Sequence, residues 1–276
     1  MIFKRLVFTN ESIKKGDFED PNFLKEKNFL EEVVKNIKNT SAHFVYQPNT
    51  NVVFDTFPKG SLEASFGSYQ IDLEKGEEEL FANLHPKHRN VIKKAKKDGV
   101  IIKTGEDQFS DFFELYKDTM ERQNLNYTSE IELKEIATKL NGNALISVAY
   151  KDGIPQGSSM LLYEKGFGAY YFYGGSALRP HIGSINLMHW ENIIKLKSVG
   201  VSFYDFVGAR IKPKKGSKIE GIQKFKERFG GEMKKGYLWK YPSNNVIYKL
   251  FCFVAKLNAL MHKRVYKGDI IDQERL

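Results

Sequence analysis

The sequence predicts an α/β protein in which mixed, mostly antiparallel sheets are flanked by helices. Strand-like and helix-like segments alternate clearly between residues 143 and 207. Of the 276 residues, 41% are hydrophobic, which suffices for one large core or two of ordinary size. No repeat of fixed period is present, which argues against a solenoid.

The first part of the chain is predicted to combine short strands with helices. Apolar residues from Phe23 to Ile37 recur near a 3.6-residue spacing, which is typical of a helix. Two strand-like runs follow, and Gln47-Pro48-Asn49-Thr50 between them is a turn signal. Pro86 is tolerated in a first helical turn, so we expect a helix from Pro86 to Gly99. Further predicted elements here are strands at 42–46, 51–54, 68–73 and 100–103 and a helix at 74–84.

The second part alternates more regularly, after a predicted domain boundary near residue 105. Phe109 to Arg122 is amphipathic at helical spacing. Lys151-Asp152-Gly153 is a hairpin-like turn between two strands. The remaining predicted elements are strands at 143–150, 158–163, 168–173 and 203–207 and a helix at 185–199 that ends at Gly200.

Composition and cysteine content predict a soluble, cytoplasmic protein in a reducing environment. The longest apolar run, Leu250 to Ala255, is far shorter than the roughly 20 residues of a membrane span. The amino terminus lacks the pattern of a secretory signal. The single cysteine, Cys252, excludes an internal disulfide, and its apolar neighbours suggest a buried structural thiol.

Positive charge is concentrated in two segments. The net charge is +9; residues 87–97 contain six basic residues and no acid, and residues 210–240 contain eleven against three. The rest of the chain is therefore net acidic. The positive electrostatic potential of these two segments suits a polyanionic partner such as a nucleic acid, a nucleotide or an anionic lipid surface. The alternative is that both segments are solvated helix faces.

Motifs for nucleophilic or metal chemistry are missing. The sequence has no Gly-x-Ser-x-Gly elbow, Walker loop, Cys-x-x-Cys or His-Glu-x-x-His. His85 and His88 lie three residues apart without a second ligand pair, so we expect ordinary surface histidines and no metal site. A reaction without a covalent protein intermediate is the expectation.

One pattern carries a family resemblance. The segment Tyr204-Asp205-Phe206-Val207-Gly208 precedes a basic stretch and then Gly221-Ile222-Gln223-Lys224-Phe225-Lys226-Glu227-Arg228-Phe229-Gly230-Gly231. Together with 66–73, 84–95 and 115–122, this pattern resembles the Fem family of peptidoglycan-bridge aminoacyltransferases. The resemblance extends from about residue 40 to about residue 240.

The resemblance implies two GNAT-like domains. We expect a first domain at 1–105, trimmed relative to the family, and a second at 106–243. The amphipathic helix and tail at 244–276 would pack on the domains. No insertion for the coiled-coil arm of longer Fem proteins is found. The implied activity is that of a bacterial enzyme of cell-wall biosynthesis. It moves an aminoacyl group from aminoacyl-tRNA to an amine on a nucleotide- or lipid-linked cell-wall precursor or a cell-surface sugar, without a resident cofactor.

The predicted catalytic residues are Lys226, Phe225 and Asp205. Amine attack on an activated ester requires aligned substrates and stabilisation of charge on the tetrahedral oxygen. Lys226, beside a glycine-framed turn in the basic loop, is the candidate for that stabilisation, and a lysine can also bind a phosphate of an RNA acceptor end. The matching Phe-Lys pair contacts the reacting acyl end in the resembled family. Asp205 either orients the acceptor amine or caps the turn after its strand. The alternative for Lys226 is a solvated surface lysine.

Substrate binding is assigned to aromatic and arginine side chains. Strand alternation predicts that Tyr171 and Tyr173 share one face. Arginine binds diphosphates and carboxylates in bidentate fashion, which suits it to an anion clamp. The residues predicted to bind substrate are Arg89, Arg122, Tyr171, Tyr173, Tyr204 and Arg228.

Two segments leave alternatives open. Arg179-Pro180-His181-Ile182-Gly183-Ser184 is an imperfect match to the pyrophosphate loop of acetyl-CoA enzymes, and a plain turn before a helix is the preferred interpretation. Residues 246–264 form an amphipathic helix that by default closes a domain core, with peripheral membrane contact as the alternative. The competing functions are therefore an acyl-CoA-dependent acyltransferase and a non-catalytic nucleic-acid-binding protein.

Overall fold

Strands and helices alternate along the chain, which confirms the predicted α/β class. The computed structural model describes residues 3–7, 23–46, 50, 52–140, 142–261, 265–266 and 268–275. The strands are β1 (Arg5–Leu6), β2 (Phe44–Tyr46), β3 (Leu62–Asp72), β4 (Ile101–Thr104), β5 (Ala144–Lys151), β6 (Ile154–Tyr163), β7 (Gly168–Ser176), β8 (Phe203–Asp205), β9 (Ala209–Arg210) and β10 (Glu232–Pro242). The helices are α1 (Phe23–Asn36), α2 (Glu77–Asn83), α3 (Pro86–Lys97), α4 (Phe109–Arg122), α5 (Glu130–Lys139), α6 (Ser184–Ser198), α7 (Lys218–Glu227), α8 (Asn245–Met261) and α9 (Ile270–Glu274).

The chain forms two compact units. The first contains Met1–Ser68, Gly208–Lys214 and Lys234–Leu276, and the second contains Tyr69–Val207 and Lys215–Met233. The predicted boundary near residue 105 falls inside the second unit. As limits of GNAT-like domains, the ranges 1–105, 106–243 and 244–276 stay predictions. The predicted turn at 47–49 and residue 51 lie outside the described residues.

The second unit contains a mixed sheet with helices on both faces. Its strands follow the order β3 (from Tyr69 onward), β8, β7, β6, β5, β4, and only β7 and β8 are parallel. Parallel neighbours need a crossover, which α6 supplies. Asn192 of α6 is hydrogen-bonded to Ser147 at 2.6 Å and Ser159 at 2.9 Å. Ser158 points the opposite way and donates to the Phe112 carbonyl of α4 at 3.1 Å. The two helices therefore cover opposite faces.

The hairpin between β5 and β6 has the predicted turn. Asp152 has φ 51° and Gly153 has φ 76°. Two successive residues in the left-handed region match the right-handed twist of the flanking strands, as in a type I′ turn. Aspartate and glycine tolerate that conformation at little cost, so the local sequence determines the connection.

The first unit contains further paired strands and a core of its own. Strand β2 lies between β1, which is parallel to it, and β10, which is antiparallel. Phe54 and Trp239 are fully buried, with their rings 5.7 Å apart. Lys240 is also fully buried, and its Nζ lies 2.7 Å from Asp269 and 2.6 Å from Asp272. A buried ammonium needs such partners to offset its lost hydration.

Helix α8 differs from the default prediction that it closes a domain core, because none of its residues is fully buried. Cys252 on this helix is half-buried, whereas its apolar neighbours predicted a buried thiol. Residues 262–264 of the predicted amphipathic segment lie outside the described residues. In the described parts of the chain, no helix is long and apolar enough to span a bilayer.

Helix α5 was not predicted, although it begins with a local signal. Ser129 accepts a hydrogen bond from the Glu132 N–H at 3.3 Å, and the Glu132 side chain accepts one from the Ser129 N–H at 3.0 Å. This capping box satisfies two amides that the first turn leaves unpaired. We expect Ser129→Ala to lower the free energy of unfolding by about 1 kcal/mol in urea denaturation. Ser129→Thr, which retains the acceptor, should lose less, and equal losses would contradict a capping role.

Candidate active site

The candidate site is centred on a strained turn that follows β8. Val207 has φ 46°, a conformation that β-branched residues rarely adopt. Such a residue costs about 1–3 kcal/mol and persists only when its surroundings hold it. Strained backbone of this kind occurs often at functional sites, so the groups that hold Val207 identify the candidate residues.

Three side chains hold this turn. Asp205, only 3% exposed, accepts a hydrogen bond from the Val207 N–H at 2.6 Å through Oδ1. Its Oδ2 accepts one from Gln70 Nε2 at 2.8 Å, across the β3–β8 pair. Lys226 Nζ donates to the Val207 carbonyl oxygen. Of the two roles open to Asp205, the structure shows the turn cap; its role toward an acceptor amine stays a prediction.

Lys226 lies in the last turn of α7 rather than in a loop. The expected basic loop is wrong here because Ser217 caps a helix by accepting from the Glu220 N–H, and that helix continues through Gly221. Gly230, with φ 81°, follows the end of the helix. Burial lowers the pKa of Lys226 to about 8, while the negative charge of Asp205 opposes that decrease. Lys226 is therefore not a solvated surface lysine.

A cluster of histidines and aromatic rings surrounds the lysine. The Phe225 ring lies 5.2 Å from His88 and 5.8 Å from His189. His189 Nδ1 is 2.8 Å from the hydroxyl of the buried Tyr204. Burial lowers the pKa of His189 to about 3, helped by His88 and Lys226, and burial lowers that of His88 to about 4. Both imidazoles are therefore neutral at pH 7, which gives the site an environment of low polarity.

His88 corrects one expectation. It was predicted to be a surface histidine, but it is buried because His88, Ile92 and Ala95 share the inner side of α3. Its Nδ1 has no hydrogen-bond partner in the described residues. His189 was not predicted either. The signal in the sequence that could have indicated a functional role for His189 is its position among the apolar residues of helix α6.

Tyr171 and Tyr173 lie on opposite faces of the sheet, contrary to the prediction. Met160 pairs with Tyr173 and Leu161 with Tyr171, so Phe172 is the extra residue of a β-bulge. The Tyr171 ring consequently packs 4.8 Å from His189 on the α6 side. The Tyr173 ring packs 5.7 Å from Tyr116 on the α4 side. Only Tyr171 joins the aromatic cluster beside Lys226, and burial raises its pKa to about 12.

The parallel strands β7 and β8 pair only over a short stretch. The register runs from Gly168 opposite Phe203 to Tyr170 opposite Asp205, while β7 continues to Ser176. The bulge and the strained turn both lie just past this stretch. The carboxyl ends of parallel strands are a common place for ligands in α/β proteins. The residues next to the carboxyl ends of the paired stretch of β7 and β8 are Tyr171, Val207 and, through its bond to Val207, Lys226.

The predicted arginines are held by main-chain oxygens. Arg89 donates to the carbonyls of Ala82 and Leu84, both at 2.6 Å. Arg122 donates to the Ser176 carbonyl at 2.5 Å. Both therefore have a structural role, and their role as anion clamps stays a prediction.

Arg228 and Tyr204 also have structural roles. The Arg228 main chain accepts a hydrogen bond from the His85 N–H at 2.9 Å, and its positive charge contributes to lowering the pKa of His88. Tyr204 is fully buried, with its hydroxyl directed at His189. Their binding of substrate stays a prediction.

The segment 179–184 forms a turn that begins α6. Gly183 has φ 86°, and a Cβ there would lie 2.3 Å from the Val91 carbonyl oxygen. Glycine is therefore required for close packing against α3. His181 Nε2 lies 3.2 Å from Asp98, so an acidic group lies next to this turn. These contacts favour the preferred interpretation of a plain turn over a pyrophosphate loop.

Comparison with known proteins supports the predicted family. Residues 58–154, about a third of the chain, match the model of the FemAB family. The resemblance to Fem proteins is confirmed. The matched segment contains α3 and the whole of β3, which carries Gln70, and the motif around Lys226 lies beyond it. A search of curated protein sequences finds no match.

Solved structures agree on the fold. The crystal structure of FemX superposes with a TM-score of 0.59 at 16% identity, covering 79% of this chain and 70% of FemX. A C-terminal DUF2156 domain from Agrobacterium fabrum, assigned to a lysylphosphatidylglycerol synthetase, gives 0.55 at 14% identity, with 86% and 79% covered. A tandem GNAT protein from the clavulanic acid pathway gives 0.47 at 10% identity, with 80% and 70% covered. The superpositions on FemX and on the DUF2156 domain support the predicted α/β fold, and the FemAB match supports a transferase.

In the described ranges, no three histidine, cysteine, aspartate or glutamate residues cluster so that they could hold a metal ion. The candidate site itself presents the Lys226 ammonium, the Asp205 carboxylate and the turn at Val207 that both of them hold. A cation beside a fixed main-chain turn in an environment of low polarity is suited to stabilising a developing negative charge.

Proposed function

We propose that the chain is an aminoacyltransferase that uses aminoacyl-tRNA as donor and an amine of a peptidoglycan precursor or cell-surface sugar as acceptor. The observation that carries this proposal is the largely desolvated, half-buried ammonium of Lys226, held on the Val207 carbonyl just past the paired ends of β7 and β8. The FemAB match supports the same reaction class.

The proposed reaction is attack of a neutral amine on the ester carbonyl of the donor. The new C–N bond forms first and gives a tetrahedral intermediate with a negative oxygen. The C–O bond to the tRNA ribose then breaks, and the proton lost by the amine ends on the departing hydroxyl. The ester is already activated, so the enzyme needs no covalent intermediate. The protein contributes alignment and charge stabilisation.

Lys226 is suited to the charge-stabilising role. With a pKa of about 8, it is mainly cationic at pH 7. The neighbouring Phe225, Tyr171 and neutral His189 lower the local polarity and strengthen its interaction with an oxyanion. The Val207 carbonyl holds its Nζ and Asp205 holds the Val207 turn, so little reorganisation is needed when charge develops.

Helix α3 is the proposed tRNA-binding element. Lys94 pairs with Asp98 at 2.7 Å and Lys96 with Glu191 at 2.8 Å. Lys87 and Lys97 are exposed and have no ion pair among the described residues. Part of the basic segment is thus neutralised within the protein, and the remaining charge is available to phosphates.

The test is to mix the protein with charged tRNA and candidate amines and to follow loss of the ester by mass spectrometry. Each phosphate contact should add about 0.7–0.9 to the slope of log affinity against log salt. We expect Lys87→Gln combined with Lys97→Gln to reduce that slope. Lys134→Gln combined with Lys139→Gln, which removes lysines paired with acids on α5, is the matched control.

Two outcomes would contradict the proposal. Saturable acyl-CoA binding with a shallow salt dependence would favour an acyl-CoA-dependent enzyme. Binding of tRNA without transfer to any amine would favour a non-catalytic nucleic-acid-binding protein. The close packing of Gly183 against α3 argues against an acyl-CoA-dependent enzyme. The turn that would have to hold the pyrophosphate of CoA is in contact with α3 instead.

A further inference from the structure

We propose that α8 docks this protein onto an anionic lipid surface. The proposal does not depend on the catalytic role of Lys226, because binding to lipid can be measured without turnover. It rests on the exposure, the geometry and the charge of α8 in the first unit.

Helix α8 exposes a continuous apolar surface. Seven large apolar side chains recur at intervals of three and four residues and are between 43% and 76% exposed. Residues at this spacing share one side of a helix. They form what we call the apolar stripe: Val246, Leu250, Phe253, Val254, Leu257, Leu260 and Met261.

The opposite side of α8 attaches the helix to the first unit. The rings of Tyr248 and Phe251 lie 5.6 and 5.0 Å from the buried Phe44. The helix has 17 residues, so its stripe extends for roughly 25 Å at 1.5 Å per residue. One side of the helix is thus anchored and the other presents a long apolar surface. Contiguous surfaces of this kind mark interaction sites in soluble proteins.

Charge determines which partner fits. Residues 245–261 include no acid, and exposed Lys249 and Lys256 border the apolar stripe along one edge. A cavity of about 910 Å³ lies next to this edge, lined by Tyr248, Cys252, Lys256 and Arg275 among others. Asp272, which also lines it, is paired with Lys240. An apolar stripe with a basic edge is the pattern of a helix that lies in the interface of an anionic membrane.

A second copy of the chain fits less well. Pairing two α8 helices through their stripes would bring in two further lysines and no acid from the helix to meet them. Anionic headgroups, in contrast, would neutralise Lys249, Lys256 and Arg275 while the apolar side chains enter the acyl boundary. A lysine near an anionic surface adds roughly a fivefold gain in binding. We therefore commit to lipid as the occupant.

The experiment is sedimentation of the full chain with vesicles of phosphatidylcholine alone or with a quarter phosphatidylglycerol. We expect binding to the mixed vesicles and weak binding to the neutral ones. Phe253→Glu combined with Leu260→Glu should reduce binding at least tenfold. Lys249→Gln combined with Lys256→Gln should reduce it by roughly 25-fold on the mixed vesicles. The matched control is Ile131→Glu on α5, where a 72% exposed apolar residue should be replaceable without effect.

Insertion can be read directly from a tryptophan. Trp190 and Trp239 are both buried, so Phe253→Trp adds an exposed reporter on the stripe. Its emission should shift to the blue with mixed vesicles. No binding by the wild type, or equal binding by the Phe253→Glu, Leu260→Glu variant with an unchanged melting temperature, would overturn the proposal. A concentration-dependent dimer in light scattering, lost in the same variant and accompanied by no lipid binding, would instead assign the stripe to a second copy.

Discussion

Replacing Lys226 with methionine should reduce kcat for aminoacyl transfer about 10²- to 10³-fold while the protein stays folded. Methionine has nearly the same length but no charge, so the oxyanion loses the cation proposed to stabilise it. Loss of one oxyanion donor typically has an effect of this size. Single-turnover kinetics with charged tRNA and saturating acceptor is the measurement.

The effect on stability should be small because two contributions oppose each other. The substitution removes an ammonium whose burial is unfavourable, as its lowered pKa indicates. It also leaves the Val207 carbonyl without its Nζ donor. Each contribution is about 1–2 kcal/mol, so the melting temperature should change by only a few degrees.

The matched control for this prediction lies on the same helix. Lys224 is exposed and pairs with Glu220 at 2.8 Å, and Lys224→Met removes the same charge two residues away. It should retain nearly full turnover. Wild-type turnover in Lys226→Met, or equal losses in the two variants, would show that the position of the Lys226 charge has no role in catalysis.

Much of the second unit was predictable because its signals are local. Helix α4 begins and ends at the predicted Phe109 and Arg122, since its aromatic residues recur at helical spacing. Asp152-Gly153 determines the hairpin between β5 and β6 in the same way, because both residues tolerate a left-handed backbone conformation. The resemblance to Fem proteins indicated Lys226 and Asp205, which the structure joins through Val207.

The parts that were not predicted depend on tertiary contacts. The prediction that Tyr171 and Tyr173 share a face was wrong because the β-bulge at Phe172 arises only when β7 pairs with β6. Gln70 holds Asp205 through the pairing of β3 with β8, which local sequence does not encode. His88 gave no sign of burial, since its inner position is set by packing of α3 against Phe225 and Phe229.

Transfer should depend on pH through Lys226, because the oxyanion role requires the protonated ammonium. The rate constant kcat/KM should therefore fall as pH rises through about 8, the pKa of Lys226. His88 and His189, with pKa values of about 4 and 3, stay neutral from pH 6 to 9 and do not contribute to this descending limb of the pH–rate profile. Deprotonation of the acceptor amine raises the rate of any variant alike, so a rate that increases through pH 8 in the wild type and not in Lys226→Arg would assign Lys226 the role of a neutral base.

Two variants separate Lys226 from other sources of the descending limb. Asp205→Asn keeps an oxygen for the Val207 N–H but removes the negative charge that raises the pKa of Lys226, so the limb should move to lower pH. Lys226→Arg keeps a positive charge that does not titrate in this range, so any activity it retains should lose the limb. If neither variant changes the limb, the titrating group is another one. The charge of Lys226 and the turn it holds would then belong to the stability of the fold and not to its chemistry.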